Sequence, residues 1–394
     1  MATVSHYVPL GAGHVNPTVG IVAELVRRGH QVSCFVPERF AEQLAVTGAR
    51  IVPVPSTWEA VGLADPPQMH GRHLVRAMGY LLDETQALVP LLARHPAPDL
   101  VLHDGPLAVW GRVLAHRWKV PSVEVWPNLV SNRHWSMNRY TKLNPLDPRF
   151  LVMMMKYGAY LRREGIGNVR EFFEGGAAAQ RVVTVPRAFQ YAGETFEGFR
   201  FVGPVLGDRA TETGWTPPEG GRPVLLVSLG SAYNRRPALY RTILSGVAGR
   251  GWHVVLSIGD VDPAELGPLP AGVEVHRRVP QLGVLRHATV FVTHAGMGGT
   301  MEGLAAGVPL VALPQMAEQR ANADRIAELG LGRTLDPVSV TPDRLWAAVQ
   351  ETAADPAVRE RLTWMAGEIA AAGGAAAAAD EIERALARRD RPRA

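Results

Sequence analysis

The chain has 394 residues, of which 47% are hydrophobic and 20% charged, and its formal net charge is +4. Because this length exceeds one ordinary domain, we expect two domains of similar size. No apolar run approaches the ~20 residues of a membrane span, and no basic block is interleaved with aromatic residues, so neither a membrane span nor a nucleic-acid partner is expected. The single cysteine, Cys34, lies in an apolar run, which favours a packed core thiol in a reducing, cytoplasmic compartment.

The first half of the chain opens with alternating strand and helix patterns. A strand around residues 7–10 is followed by an amphipathic helical run at 19–26 and a second strand at 31–35. This order predicts an α/β fold with a doubly wound parallel sheet, whose ligands bind at the carboxyl ends of the strands.

Gly11 and Gly13 look like the start of a dinucleotide-binding fingerprint. However, Asn16 stands where the third glycine belongs, and Val36 and Pro37 replace the acidic residue expected after the next strand. NAD binding is therefore disfavoured at this turn.

The remainder of the first half continues the alternation. Residues 55–72 are predicted to form a loop and 72–94 a long helix, and strands follow at 99–102 and 122–125. The segment 127–175 is rich in methionine and aromatic residues. Two interpretations of this segment remain open, a packed core or the wall of an adaptable apolar acceptor pocket.

A proline- and glycine-rich linker at 206–221 separates the two halves. Strands are predicted at 199–202 before it and at 224–228, 254–257, 273–275, 289–292 and 310–313 after it. Helices are predicted at 237–249, 281–287, 299–306, 318–329, 342–354, 356–371 and 375–389. We therefore place one domain at 1–205, a second at 222–374, and a terminal helix within 375–394.

One stretch of the second half combines a buried strand, a glycine-rich turn and the start of a helix. The strand at 289–292 leads to His294, small residues and then Glu302. Such a turn directs backbone N–H groups and the positive helix end at one point, and His294 adds a donor, so an anion site is predicted. Glu302, in the first helical turn, suits a sugar diol, and Glu318 and Gln319 offer further hydroxyl partners. The order of these groups predicts a nucleotide-sugar ligand, although first-turn acids also occur simply to favour a helix dipole.

A candidate base lies in the first half. His14 follows the first strand and Asp104 follows another, so both belong to the carboxyl edge of the sheet. A histidine is partly neutral near pH 7 and can act as a general base, while an aspartate can orient its ring. The alternative is that His14 is a helix-start residue and Asp104 a helix N-cap. His103 is expected to be structural, and no metal-ligand cluster is visible.

Four motifs occur in order along the chain. They are Gly13-His14-Val15-Asn16-Pro17, Leu102-His103-Asp104, Val227-Ser228-Leu229-Gly230-Ser231 and Phe291-Val292-Thr293-His294-Ala295-Gly296. Together they resemble family-one nucleotide-sugar-dependent glycosyltransferases, and in particular the bacterial macrolide enzymes of the oleandomycin glycosyltransferase type. The resemblance covers nearly the whole chain. It implies the GT-B fold, two Rossmann-like domains facing each other across a cleft, with the last helix crossing back to the first domain.

The resemblance also implies roles for individual residues. It makes His14 the catalytic base and Asp104 its partner. The donor-binding positions are then Ser231, Arg278, Val279, Gln281, His294, Gly296, Gly298, Gly299, Thr300, Glu302, Glu318 and Gln319. Two of them depart from the family pattern. Arg278 stands where a tryptophan usually stacks on the base, which a guanidinium can also do, and the pair Glu318-Gln319 replaces the more common Asp-Gln pair.

The predicted function is an inverting glycosyltransferase that moves a hexose, most simply glucose from UDP-glucose, to a hydroxyl of a macrolide, polyketide or other apolar aglycone. Neither a metal nor a further cofactor is predicted, and the enzyme is expected to be a cytoplasmic monomer or homodimer. Three alternatives remain: a dTDP-deoxysugar transferase of antibiotic biosynthesis, a nucleotide-sugar epimerase, and a catalytically silent sugar-nucleotide-binding protein. An epimerase would convert the donor with no acceptor present.

Overall fold

The structure, a computed structural model, describes most of the chain. The described residues are 1–60, 70–168, 172, 179–206, 214–230 and 234–389. The chain divides into two compact units, one comprising Met1–Gly207 with Ala372–Ala394 and the other Asp208–Ala371. None of the described helices is both long enough and apolar enough to span a bilayer.

Strands and helices alternate along both units. The described strands are β1 (Thr3–Tyr7), β2 (Gln31–Val36), β3 (Arg50–Pro53), β4 (Leu100–Asp104), β5 (Ser122–Trp126), β6 (Ala179–Val183), β7 (Phe199–Phe201), β8 (Val224–Ser228), β9 (His253–Ser257), β10 (Val273–His276), β11 (Ala288–Thr293), β12 (Leu310–Ala312) and β13 (Gly332–Thr334). The described helices are α1 (Ala12–Arg27), α2 (Ala41–Ala45), α3 (Thr57–Ala60), α4 (Gly71–Leu92), α5 (Val109–Trp118), α6 (Asn138–Thr141), α7 (Pro148–Arg163), α8 (Pro237–Val247), α9 (Gln281–Leu285), α10 (Met297–Ala305), α11 (Ala317–Glu328), α12 (Pro342–Ala354), α13 (Pro356–Ala372) and α14 (Gly374–Arg389). This alternation is that of an α/β protein, as the sequence predicted.

In the described part of the first unit, seven parallel strands form a sheet in the order β3-β2-β1-β4-β5-β6-β7. The strand order reverses between β1 and β4, where Tyr7 is level with His103. In open α/β sheets, ligands bind beyond the carboxyl ends of the strands at such a reversal. The loop after β1 and the end of β4 therefore share the edge at which a site is expected.

Helix α14 belongs to the first unit. Ile382 of α14 is fully buried in the same core as Ile21 of α1. At the end of α1, Arg28 also forms ion pairs of 2.7 Å with Asp380 and Glu383. Because these carboxylates are largely exposed, the apolar burial contributes more to holding α14 than the ion pairs do.

In the described part of the second unit, six parallel strands form a sheet in the order β10-β9-β8-β11-β12-β13. The order again reverses beside the strand that begins this half, between β8 and β11, where Thr293 is level with Ser228. Strand β11 is covered on both faces, because Val290 and Val292 on one face have no exposed surface and Phe291 on the other is 1% exposed. The turn after β11 therefore lies at the ligand-binding edge of the second sheet.

The structure corrects several predicted boundaries. The first strand ends at Tyr7 rather than running to residue 10, and α1 begins at Ala12 rather than 19. Pro17 explains the second error, because proline usually marks a helix boundary, whereas here it lies inside α1. Strands β3, β6 and β13 were not predicted because each contains charged or polar residues and none forms an apolar run.

Two segments in which no helix was predicted also contain helices. The methionine- and aromatic-rich segment 127–175 includes α6 and α7, and the predicted loop 55–72 includes α3 and the start of α4. Within that loop, residues 61–69 lie outside the described residues, as do residues 207–213 of the predicted linker.

Candidate active site

His14 and Asp104 lie together at the carboxyl edge of the first sheet. Nδ1 of His14 is 2.6 Å from Oδ2 of Asp104. The other carboxylate oxygen accepts the backbone N–H of Leu107 at 2.7 Å, so both oxygens of Asp104 are engaged. The Asp104 side chain is 1% exposed and that of His14 is 17% exposed. A buried carboxylate thus holds a partly accessible imidazole, and the tautomer that donates from Nδ1 carries its lone pair on Nε2.

The fold brings these two residues together although they are ninety positions apart in the sequence. Gly11 is the N-cap of α1, and its carbonyl accepts the backbone N–H of His14 at 3.0 Å. His14 is therefore in the first turn of α1, directly after β1, while Asp104 ends the neighbouring strand β4. Adjacent parallel strands deliver their following residues to one edge, which explains why the sequence could predict the pairing.

His103 lies in the core and its side chain points away from this pair. It has no exposed surface, and its Nδ1 is 2.9 Å from the carbonyl oxygen of Asp104. Burial lowers the pKa of His103. His6 is likewise fully buried, and burial lowers its pKa to about 4. Both rings are therefore neutral near pH 7 and serve the packing of the sheet.

A buried ion pair supports the backbone beside Asp104, and sequence reasoning did not identify it. Glu124 has no exposed surface and is 2.5 Å from Arg112. It also accepts the indole N–H of Trp126 at 3.0 Å. The Trp126 ring lies directly against Gly105, where an added Cβ would come within 2.4 Å of it. Only glycine fits after Asp104 with the indole in this position.

In the second unit, the anion site was predicted at the turn between β11 and α10. Gly296 is the N-cap of α10, and its carbonyl accepts the N–H of Thr300 at 2.9 Å. The first-turn amides that have no acceptor within the helix are therefore those of Met297, Gly298 and Gly299. Of the predicted donor-binding positions Gly298, Gly299 and Thr300, Thr300 uses its backbone N–H within the helix, and its side chain is fully buried.

The ring of His294 is held between two glycines. A Cβ on Gly230 would lie 2.5 Å from the ring, and one on Gly296 would lie 2.3 Å from its Nε2. Burial lowers the pKa of His294 to about 4, so the ring is neutral near pH 7 and carries one N–H. Its Nδ1 is buried and finds no hydrogen-bond partner among the described residues. The ring is therefore restrained by backbone on two sides beside the start of α10.

Two residues that shape this turn were not among the predicted site residues. Ala295 has a φ of 59°, a left-handed conformation that costs roughly 1–2 kcal/mol for a residue other than glycine. Asn322 of α11 donates from Nδ2 to the Ala295 carbonyl at 2.9 Å, and both residues have no exposed surface. Asn322 thus holds the strained residue between His294 and the start of α10. A left-handed alanine leaves no signal in a sequence, although Asn322 lies only four residues after Glu318.

Glu302 is paired inside the unit. It lies in the second turn of α10, not the first as predicted, and it is 6% exposed. Nε2 of Gln281 donates to Oε2 of Glu302 at 2.6 Å, so these two predicted donor-binding residues form one group. Val279 is half-buried just before α9, and Arg278 is exposed. An exposed guanidinium at this position can stack on a planar ring.

Glu318 and Gln319 both lie in the first turn of α11. Glu318 is half-buried, whereas Gln319 is 4% exposed. Oε1 of Gln319 accepts the backbone N–H of Gln315 at 2.8 Å, which orients its amide. The Gln315 side-chain amide is itself buried with no partner among the described residues. The remaining predicted residue, Ser231, lies outside the described residues. Within the described part of the chain, no group of three or more His, Cys, Asp or Glu side chains is arranged to hold a metal ion.

Two parallel-sheet α/β units with these strand orders are those of a GT-B glycosyltransferase. The structure of CalG4, described as the calicheamicin glycosyltransferase, matches with a TM-score of 0.87 and 35% identity, over 99% of this chain and 100% of that one.

Comparisons of sequence give the family. Residues 241–384 match the family described as erythromycin biosynthesis protein CIII-like, C-terminal domain. The chain is 42% identical to oleandomycin glycosyltransferase of Streptomyces antibioticus, over 95% of this chain and 88% of that protein. It is 37% identical to demethyllactenocin mycarosyltransferase of Streptomyces fradiae, over 97% and 86% respectively. The chain belongs to the macrolide-type family-one glycosyltransferases.

Proposed function

We propose that this glycosyltransferase moves glucose from UDP-glucose to a hydroxyl of a macrolide, polyketide or other apolar aglycone, with inversion at the anomeric carbon. The observation that carries the proposal is the 2.6 Å contact between His14 and Asp104 at the carboxyl edge of the first sheet. A hydroxyl is a weak nucleophile, so its attack needs a positioned base. An imidazole oriented by a buried carboxylate meets that need.

In the proposed reaction, Nε2 of His14 takes the proton of the acceptor hydroxyl as its oxygen attacks the anomeric carbon. The bond from that carbon to the diphosphate breaks in the same displacement, and UDP leaves with the electron pair. Asp104 stabilises the imidazolium and keeps Nδ1 protonated throughout. A single displacement inverts the anomeric configuration.

The second unit is proposed to hold the donor. The amides of Met297, Gly298 and Gly299, together with the positive end of α10, would receive the diphosphate. His294 would add its one N–H to the same anion. We expect this arrangement to stabilise the leaving group without a metal ion, so activity should persist in excess EDTA. A strict need for Mg²⁺ or Mn²⁺ would contradict it.

The sugar and nucleoside contacts complete the proposal. Glu302, already oriented by Gln281, would accept hydrogen bonds from the ribose diol, and Arg278 would stack on the base. Glu318 and Gln319 would pair with hexose hydroxyls. The acceptor class is supported by the oleandomycin glycosyltransferase, whose name specifies an antibiotic acceptor.

A second candidate donor is a dTDP-deoxysugar. It is favoured by the mycarosyltransferase relative, whose name specifies a transferred group other than glucose. The two candidates are separated by a mass-spectrometric screen of UDP-glucose and dTDP-deoxysugars against a panel of apolar aglycones. Transfer from UDP-glucose that is lost in His14→Ala supports the first proposal. Transfer only from the deoxysugar donors supports the second, and donor conversion without an acceptor would indicate an epimerase.

A further inference from the structure

Helix α7 carries an exposed apolar face. Leu151, Val152 and Met155 are 48%, 52% and 72% exposed, and Leu146, just before the helix, is 79% exposed. These four are half of the large hydrophobic residues that are exposed in the described part of the chain, and they lie within ten positions of one another. Positions 151, 152 and 155 fall within about 100° of a helical wheel, so they form one stripe. Singly exposed apolar residues need no explanation, but a contiguous stripe marks an interaction surface.

A groove of about 420 Å³ runs beside this stripe, between α4 and α7. Its apolar wall is formed by Val75, Pro148, Val152 and Met153. Its remaining lining residues are the four cations Arg72, Arg76, Arg149 and Lys156. None of the described residues that line the groove is acidic, so the described part of this apolar surface is bordered by positive charge.

These four cations form no side-chain hydrogen bond or ion pair with any described residue. The nearby acids are used elsewhere or lie farther away. Asp147 caps α7 by accepting the backbone N–H of Arg149, and Glu164 pairs with Arg117. Asp83 shares the outer face of α4 but lies seven residues, about 10 Å, beyond Arg76. Among the described residues of the unit, the positive charge beside the stripe therefore has no acidic partner.

We propose that this surface docks the enzyme on an anionic lipid bilayer. The surface, here called the α7 patch, comprises Leu146, Leu151, Val152 and Met155 with Arg72, Arg76, Arg149 and Lys156. Helix α7 would lie in the plane of the interface, with its apolar stripe among the acyl chains and its flanking cations at the lipid phosphates. An apolar stripe bordered by Arg and Lys is the pattern of interfacial helices.

The first test measures sedimentation of the full-length protein with vesicles. We expect binding to vesicles of phosphatidylcholine containing phosphatidylglycerol, weak binding to phosphatidylcholine alone, and release by high salt. Each cation near the surface contributes about fivefold to partitioning. The double variant Arg76→Glu/Lys156→Glu should therefore bind at least about 30-fold more weakly, and Met155→Ser should weaken binding without changing its salt dependence.

Matched controls use exposed residues of the same unit that lie outside the patch. Arg50→Glu/Arg94→Glu makes the same change in net charge, and Val46→Ser removes an equally exposed apolar side chain. Both controls should partition like the wild type, and thermal unfolding should show that every variant folds. If the charge controls lose binding as strongly as the patch variant, only net charge matters and the proposal is wrong.

Two other occupants of the patch give different results. If vesicle binding is absent and the patch variants instead raise KM for a soluble acceptor, the patch belongs to the acceptor site. If light scattering shows a dimer that the patch variants dissociate, the patch binds a second copy of the chain. Either result overturns membrane docking, whatever sugar the enzyme transfers.

Discussion

Replacing Gly296 by alanine should impair nucleotide binding through one defined contact, the His294 ring. Gly296 has a φ of −62°, a conformation open to any residue, so the substitution introduces no backbone strain. The new Cβ would lie 2.3 Å from Nε2 of His294. Since favourable carbon contacts lie at about 3.5–4.0 Å, the ring must move by more than about 1 Å. Gly230 approaches the same end of the ring, because a Cβ there would lie 2.5 Å from Nε2 and Cε1, so the ring has little room to move.

The expected loss follows from the hydrogen bond that the ring would make. A hydrogen bond to a charged group is worth about 1.5–3 kcal/mol, which corresponds to roughly 10- to 100-fold in affinity. We expect Gly296→Ala to raise the Kd for UDP by this factor, similar to His294→Ala. Overpacking should also lower the free energy of unfolding by about 1–3 kcal/mol.

The assay is isothermal titration calorimetry with UDP and dTDP in a double-mutant cycle. Once the His294 ring has been removed, the Cβ at 296 meets no obstacle, so Gly296→Ala/His294→Ala should bind no more weakly than His294→Ala alone. Gly367→Ala is the control, because a Cβ there has nothing within 4 Å, and its affinity should be unchanged. If the two losses add in full, or if Gly296→Ala binds normally, the proposed restraint of the ring is wrong.

Four further predictions concern single residues. Asp104→Asn should reduce kcat by at least ~10²-fold with little change in UDP affinity, because the general base loses its orienting carboxylate; near-normal kcat would remove Asp104 from the mechanism. Asn322→Ala should cost about 1–3 kcal/mol of stability, because the buried Ala295 carbonyl loses its donor. Adding Ala295→Gly should recover part of this stability by relieving the left-handed strain, and no recovery in urea unfolding would argue against that strain. Glu318→Ala should lower kcat/KM for UDP-glucose more than for a deoxysugar donor, with UDP affinity unchanged, because a site that pairs sugar hydroxyls penalises a donor without them. An unchanged ratio of the two kcat/KM values would place the sugar elsewhere. The folded pKa of His6, about 4, lies below its unfolded value of 6.5, so its contribution to stability is complete above pH 6.5 and is lost as the pH falls toward 4. His6→Met should therefore reduce the loss of unfolding free energy between pH 7.5 and 4.5 by roughly 2–3 kcal/mol. Equal losses for the variant and the wild type in urea unfolding would contradict this.

The general architecture was predictable because its signals are local. The apolar runs that became β2, β4, β8 and β11 are long enough, and rich enough in β-branched residues, to be recognised as buried strands. Once parallel strands are expected, His14 and Asp104 are predicted to lie close together, by the rule that residues following the carboxyl ends of parallel strands share one edge of the sheet. The same rule places the turn after β11 at a ligand-binding edge. Strands β3 and β13 escaped prediction because each is short and contains an arginine, so neither forms an apolar run.

Local residue chemistry therefore established the α/β class, the two halves of the chain, and the pairing of a histidine with an aspartate. It could not establish which partner each polar group takes, because a hydrogen bond depends on packing between segments far apart in sequence. The Gln281–Glu302 bond, the Asn322–Ala295 bond and the confinement of His294 between two glycines all arise in this way. Tertiary packing alone turns Ala295 left-handed, buries Thr300 and leaves the stripe on α7 uncovered, since each depends on which neighbouring surfaces meet.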